Sequence, residues 1–188
     1  NLDFGARRRA IHPVSQGAMG FSIPALLGVA DAGRQVVVVV GDGSFMMNMQ
    51  ELETIRAHGI PLKLIVVNNN VYSVIRRRQK ELFRNRTIGT DPGNGVTVPE
   101  FEKVAGLFGF GYLRIDGVEG LQAGLEQLMR MDGPVLCEIM GKEDQEYVEV
   151  SHAKNSAGKF VRRPLEDQWP FLEREVFTQE MIVEAIDQ

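Results

Sequence analysis

Two stretches of the chain end in residue types that could do chemistry together. One closes on Gly41-Asp42-Gly43-Ser44, the other on Asn68-Asn69-Asn70. Asp42 offers a carboxylate and Asn69 a carboxamide. Both are hard oxygen donors, and neither is placed to be a good general base. Such a pair suits an octahedral cation such as magnesium, which takes few protein ligands and completes its shell with water and phosphate oxygens. Gly41 and Gly43 would let backbone come close to a phosphate. Ser44 could donate to one, and a helix starting there would add free N–H groups and the positive end of its dipole. The chemistry implied is a magnesium-bridged diphosphate.

The elements that must position this pair are legible on either side of it. Residues 36–40 are five consecutive valines, which reads as a strand buried on both faces. Residues 62–67 repeat the design. Between them, residues 49–58 form a helical segment, with apolar positions at Met46, Met49, Leu52, Ile55 and Ile60 and an end at His58-Gly59. Glu51 and Glu53 face solvent or pair along that helix, and His58 is a helix-end residue. The three pieces make a βαβ unit whose strand tips lie side by side at one edge of a parallel sheet. Open α/β sheets bind ligands at that edge.

The spacing resembles the thiamine diphosphate signature of the acetolactate synthase and pyruvate decarboxylase superfamily. That signature is Gly-Asp-Gly, some two dozen residues, then Asn-Asn; here the interval is residues 44–67. A bare Gly-Asp-Gly would be an ordinary turn. Upstream, Gln16-Gly17-Ala18-Met19-Gly20, followed by Pro24-Ala25, is similar to the family's Gly-x-Met-Gly-x-x-x-Pro-Ala segment. The resemblance implies that Asp42 and Asn69 are magnesium ligands, with the Val71 backbone carbonyl as the third. It implies that Gly43 and Ser44 touch the diphosphate. Gln16, Gly17, Ala18, Gly41, Tyr72, Ser73 and Val74 complete the implied cofactor contacts. Met19 would prop the cofactor into its bent shape, and Val74 would support its pyrimidine ring. Read without the family, Met19 is a loop methionine filling core space.

The chain also departs from the better-known acetolactate synthases. Ser73-Val74 stands where they carry Gly-Met, and basic residues stand where they carry Gln-Trp. It looks more like a sub-branch with Asn-Asn-Asn-x-Tyr-x-x-Ile-Arg followed by Gly89-Thr90-Asp91-Pro92. Arg76, Arg77 and Arg78 read as an exposed helix face. The alternative is that Arg76 and its neighbours meet an anionic substrate at the mouth of the site.

The activity implied is that of the cofactor-binding domain of an acetolactate-synthase-like enzyme. It would act on a small 2-oxo acid by decarboxylation and carboligation, with thiamine diphosphate as electron sink. The alternatives are a 2-oxo acid decarboxylase without ligation and a non-catalytic metal- or phosphate-binding module. A nucleotide-dependent enzyme is disfavoured, since no Gly-x-x-x-x-Gly-Lys-Ser/Thr loop and no Gly-x-Gly-x-x-Gly motif occurs. The family's activating glutamate belongs to a separate pyrimidine-binding domain, normally supplied by the neighbouring subunit. No catalytic residue is therefore expected in this chain, and the isolated chain should bind cofactor weakly, or not at all, and not turn over. The resemblance leaves flavin open for the full-length enzyme.

The remaining chain supports one α/β domain: an open, mostly parallel sheet with helices on both faces. An opening helix follows Ser22 as N-cap and ends by Gly33. Later come helices over residues 99–108 and 118–131, and strands over 112–115 and 135–140, with loops at 84–97 and 142–159. A short helix over 178–186 starts at Thr178. The expected domain spans residues 1–160 and a tail 161–188, in which Trp169 and Phe171 pack on their own domain; the resemblance implies as the alternative a tail folded over the cofactor cleft. His152 lies on a loop without a visible partner.

Residue 1 is Asn, which reads as a piece of a longer polypeptide with its upstream domains missing. A net charge of −4 does not favour nucleic acid, and no apolar run approaches a membrane span of about 20 residues. The single Cys137 excludes a disulfide framework, lies in a buried-strand pattern, and suits a reducing cytoplasmic setting.

Overall fold

The computed structural model describes residues 8–13, 16–30, 35–145, 152–155, 157–164, 166–168 and 170–184. The chain divides into two compact units, residues 1–144 and 145–188. Among the described residues no helix is long and apolar enough to cross a membrane.

The first unit is built on four parallel strands in the order β1-β2-β4-β3: β1 (Val36–Gly41), β2 (Leu62–Asn68), β3 (Gly111–Asp116) and β4 (Val135–Met140). Helices α1 (Ser22–Leu27), α2 (Asp42–Phe45), α3 (Glu51–Ala57) and α5 (Phe101–Leu107) contribute Ile23, Leu26, Phe45, Leu52, Ile55, Phe101, Val104 and Ala105 to one core. These pack on Val38, Val40, Leu62, Leu64, Val66 and Leu136, the side chains of one sheet face. Phe45 and Phe101 meet edge to face, with ring centroids 5.1 Å apart. On the opposite face α6 (Leu121–Arg130) lays Leu121, Leu125 and Leu128 over Ile65, Ile115, Val135 and Cys137. Helices therefore cover both faces. Cys137 is a buried free thiol, as its strand context predicts, and burial pushes it up to about 11.

The valine run departs from expectation. Val38 and Val40 are buried, but Val37 and Val39 are 45% and 58% exposed. β1 pairs only with β2 among the described strands, and the cover from α6 extends over β3, β4 and Ile65 of β2 without including a β1 residue. An all-apolar run signals a strand fit for burial on both sides; it does not supply the second cover.

Local boundaries shift for identifiable reasons. Ser22 is the first helical residue of α1 and makes no capping bond; Phe21 precedes it. Gly28 closes the helix after Leu27, with Val29 N–H donating to Leu26 O at 2.9 Å, and Gly33 lies outside the described residues. Gly43 to Phe45 coil at once from the tip of β1 into α2, so α3 is shorter than the helical spacing suggests and Met46 stays 36% exposed. His58 caps α3, Thr54 donates to Glu51, and Arg56 pairs with Glu53, as read from sequence. The 84–97 loop contains a 3₁₀ turn, Pro92–Asn94, held by a capping box from Asp91.

The second unit corrects two expectations. Within the stretch read as loop, β5 (His152–Lys154) begins an antiparallel hairpin with β6 (Phe160–Arg162). The Asn and Gly there make its turn: Asn155 N–H donates to Lys159 O at 3.0 Å, Gly158 N–H donates to Asn155 O at 2.9 Å, and Gly158 sits at φ +75°. His152 is thus in a strand. The terminal helix α7 is Arg174–Glu180, and Thr178 lies inside it, its hydroxyl donating to Arg174 O at 2.8 Å. Tertiary anchors set its start: Phe177 is buried, and the Arg174 guanidinium binds both oxygens of buried Asp167 at 2.9 Å. That guanidinium also lies over the rings of Phe171 and Phe177, at 5.6 and 4.8 Å. Trp169 is outside the described residues.

Candidate functional site

β1 and β2 run level: Gly41 lies opposite Val67, so Asp42, the first residue past β1, stands beside Asn68, the last of β2. Asp42 is 3% exposed. Its Oδ1 accepts Gly43 N–H and its Oδ2 accepts Asn70 N–H, both at 2.6 Å. Burial raises the Asp42 carboxyl above its ordinary 3.8, and the backbone amides of Gly43, Asn70, Asn69 and Val71 oppose that rise. No lysine or arginine pairs with it among the described residues. It is a buried carboxylate facing a run of loop amides.

The amide of Asn69 is held only by long contacts. Its Nδ2 donates to Ser73 Oγ and its Oδ1 accepts Val71 N–H, both at 3.4 Å. Asn70 turns the chain in a left-handed conformation, φ 56°, which Asn tolerates better than most residues. Val71 is buried. Tyr72 N–H donates to Thr90 O at 2.8 Å, and α4 (Ser73–Leu82) follows directly.

Gly43 has a reason beyond phosphate access. A Cβ there would stand 1.9 Å from Cε1 of Tyr72, so the phenol ring fills the place of the missing side chain. Around Gly41 there is open space. Ser44 Oγ accepts Gly20 N–H at 2.8 Å, and Gly20 O accepts Asn48 Nδ2 at 2.9 Å. These bonds pin the Gly-rich segment to α2 at Gly20, where φ is +83° and a Cβ would meet Asn48 Nδ2 at 2.6 Å. Gln16, Gly17 and Ala18 are exposed and Met19 is 43% exposed, so Met19 is not core filler.

The structure therefore gathers Asp42, Gly43, Ser44, Asn69, Val71, Tyr72 and Ser73 at two adjacent strand tips, with the 16–20 segment tethered beside them. Val74 follows on the first turn of α4, 63% exposed. The side-chain oxygen donors there include the Asp42 carboxylate and the Asn69 carboxamide. No group of three or more His, Cys, Asp or Glu side chains is placed to hold a metal among the described residues.

Arg76 corrects both sequence readings. It is buried, not an exposed helix face. Its guanidinium pairs with Glu143, with Asp144 at 2.8 Å and with Asp91 at 3.6 Å. It is a tie between α4, the 3₁₀ turn and the chain after β4, not a group held out for an anion. Arg78 does lie on the surface, paired with Glu81.

Sequence reasoning missed the layer beneath the tips. Asn68 Nδ2 donates to Glu138 Oε1 at 2.6 Å, and Tyr112 O–H donates to Glu138 Oε2. Burial and that carboxylate hold the Tyr112 phenol far above its ordinary value. The visible signal was a charged residue in the otherwise apolar run 135–140. Buried Thr90 and the Asn94 amide that accepts its N–H were legible only as turn residues.

The family model described as thiamine pyrophosphate enzyme, C-terminal TPP binding domain, matches residues 2–139. The acetolactate synthase large subunit of Porphyra purpurea is 33% identical over 144 residues, 75% of this chain and 24% of that protein. That of Parasynechococcus marenigrum is 36% identical over 125 residues, 65% of this chain and 20% of its own. The isozyme 2 large subunit of Escherichia coli is 35% identical over 125 residues, 65% of this chain and 22% of its own. The chain spans about a quarter of the length of these curated relatives.

Proposed function

Since the chain belongs to the thiamine pyrophosphate enzymes, as their C-terminal TPP-binding domain, we propose that its strand tips hold magnesium and, through it, the diphosphate of thiamine diphosphate. The ligands are the Asp42 carboxylate, the Asn69 amide oxygen and the Val71 carbonyl. The observation that carries this reading is Asp42 itself: a buried carboxylate without a cationic side chain among the described residues, bonded across to the 69–71 loop. A divalent cation would supply the missing charge. Asn69, with only long contacts at 3.4 Å, can turn its oxygen to a metal at small cost.

Each remaining residue has a part. The open space at Gly41 admits phosphate oxygens, and the Ser44 hydroxyl, which only accepts from Gly20, keeps its own proton free to donate. Met19 and Val74, both exposed beside the tips, supply apolar support for the cofactor's rings. When bound, thiamine diphosphate supplies the electron sink that lets a 2-oxo acid lose carbon dioxide and be joined to a second carbonyl. The chain's own work is to bind, orient and exclude water, and the activating glutamate comes from a pyrimidine-binding domain of the same enzyme, most simply a neighbouring subunit's. The relatives named acetolactate synthase support ligation as the outcome. The single buried thiol supports a cytoplasmic setting.

The test is calorimetry of the chain with thiamine diphosphate, with and without MgCl₂, at millimolar cofactor. Magnesium-dependent heat that disappears in Asp42→Ala and Asn69→Ala is expected. Binding indifferent to magnesium or to both substitutions would refute the reading. Robust turnover of 2-oxo acids by the isolated chain would refute the half-site view, and in the full-length enzyme a ligated hydroxy-keto acid, not an aldehyde, is the expected product.

A further inference from the structure

We propose that Glu138, whose hydrogen bonds go to Asn68 and Tyr112 and not to Asp42 or the 69–71 loop, is a positioning residue for that loop, acting through Asn68. Its consequence for cofactor binding rests on the function proposed above; the positioning itself rests on geometry alone.

Glu138 and Asn68 are 4% and 7% exposed. Glu138 lies on β4 opposite Val66, two residues short of the tip, on the same sheet face as Asn68. A carboxylate can only accept hydrogen bonds, so it can engage only the NH₂ end of the Asn68 amide. It does so at 2.6 Å. That fixes the amide's orientation and sends its oxygen the other way, where Asn68 Oδ1 accepts Asn70 N–H at 3.0 Å. The same N–H donates to Asp42 Oδ2 at 2.6 Å. The result is a relay from β4 to the metal-loop bend: Glu138, Asn68, Asn70, Asp42.

Two further groups hold Glu138 still. Tyr112 O–H donates to its Oε2, and Arg114 Nη1 stands 3.7 Å from the same oxygen. Both come from β3, the strand on the far side of β4. The neighbouring backbone is tied down as well: Gly141 N–H donates to Asn68 O at 2.8 Å. The bend at Asn70 is left-handed, which few side chains adopt unaided. An amide locked beneath it by a buried carboxylate selects that bend before any ligand arrives. Groups that orient metal ligands from behind typically matter 10–100-fold for metal affinity.

The experiment uses the ¹⁵N-labelled full chain titrated with MgCl₂ and thiamine diphosphate, reading the Asn70 amide shift, its exchange rate and the cofactor affinity. Glu138→Ala should move the Asn70 resonance, speed its exchange and weaken magnesium-dependent cofactor binding by about 10–100-fold. Glu138→Gln keeps an acceptor for Asn68 and presents its own NH₂ to the Tyr112 oxygen, so it should rescue all three readouts. Asn68→Ala should reproduce the Asn70 changes, and adding Glu138→Ala to it should change Asn70 no further. This second variant decides the matter if Glu138→Ala fails to fold. An Asn70 amide unmoved in Glu138→Ala or in Asn68→Ala overturns the proposal, as does a Glu138→Gln variant as impaired as Glu138→Ala. If the wild-type chain shows no response to magnesium and cofactor, the function proposed above falls, and the Asn70 amide alone still decides the positioning.

Discussion

Replacing Gly43 by Ala tests how the site is packed. The new methyl carbon would lie 1.9, 2.3 and 2.9 Å from Cε1, Cδ1 and Cζ of Tyr72. Carbon atoms settle at about 3.5–4.0 Å, so the ring must retreat by roughly 1.6 Å or more. The backbone cannot easily carry it, because Tyr72 N–H is held by Thr90 O and Tyr72 O by Arg76 N–H, both at 2.8 Å. The ring must swing out by side-chain rotation and give up its packing. Overpacking of this kind costs about 1–3 kcal/mol. Alanine in place of glycine within α2 returns about 1 kcal/mol of helix propensity. The expected net loss is about 0–2 kcal/mol, or up to roughly 8 °C in Tm for a chain of this size. Because that net value can be small, the informative quantity is a double-mutant cycle with Tyr72→Ala, followed by urea unfolding. Without the ring, the methyl group introduced by Gly43→Ala meets no clash, so the two substitutions should couple by about 1–3 kcal/mol. Independent sites add to within about 0.5 kcal/mol. A cycle that closes within that limit would refute the claim that Tyr72 occupies the space Gly43 leaves.

Two pH dependences follow from the charged groups. Burial raises the Asp42 carboxyl, so it takes up a proton above pH 3.8 and competes with magnesium there. Magnesium-dependent cofactor affinity should fall as pH is lowered toward that range. For the same reason Asp42 lowers the ligand-free chain's stability once pH rises through its folded pKa, and magnesium with cofactor should raise Tm at neutral pH. Thermal scans with magnesium and cofactor, with and without a chelator, from about pH 3.8 up to neutral, check both signs; a Tm indifferent to magnesium at neutral pH would count against Asp42 as a ligand. Asp167 behaves oppositely: hydrogen bonds from Arg174 and Arg163 hold its carboxyl below 3.8, outweighing its burial. Its contribution is present above pH 3.8 and lost as pH falls through the lowered folded value. Asp167→Asn should therefore destabilise residues 145–188 at neutral pH, with the difference fading in acid; hydrogen exchange across α7 reads this directly.

The sequence by itself determined the βαβ unit, because five valines in a row and a second apolar run ending in Asn-Asn leave few other ways to bury surface. It also determined where the candidate site's acid and amide come together, since Gly-Asp-Gly and Asn-Asn end two neighbouring parallel strands. Cys137 as core and His58 as a helix end were legible for the same local reasons. Tertiary structure decided what local pattern does not encode. A valine run cannot say whether a second layer exists, and Val37 and Val39 remain open. An arginine on a helix cannot say whether acids from residues 91, 143 and 144 will converge on it, and Arg76 is buried by them. A glutamate inside a strand does not announce that its partner is an asparagine 70 residues away at the next tip. Hydrogen bonds between strands distant in sequence are set by register, and register exists only once the sheet has formed.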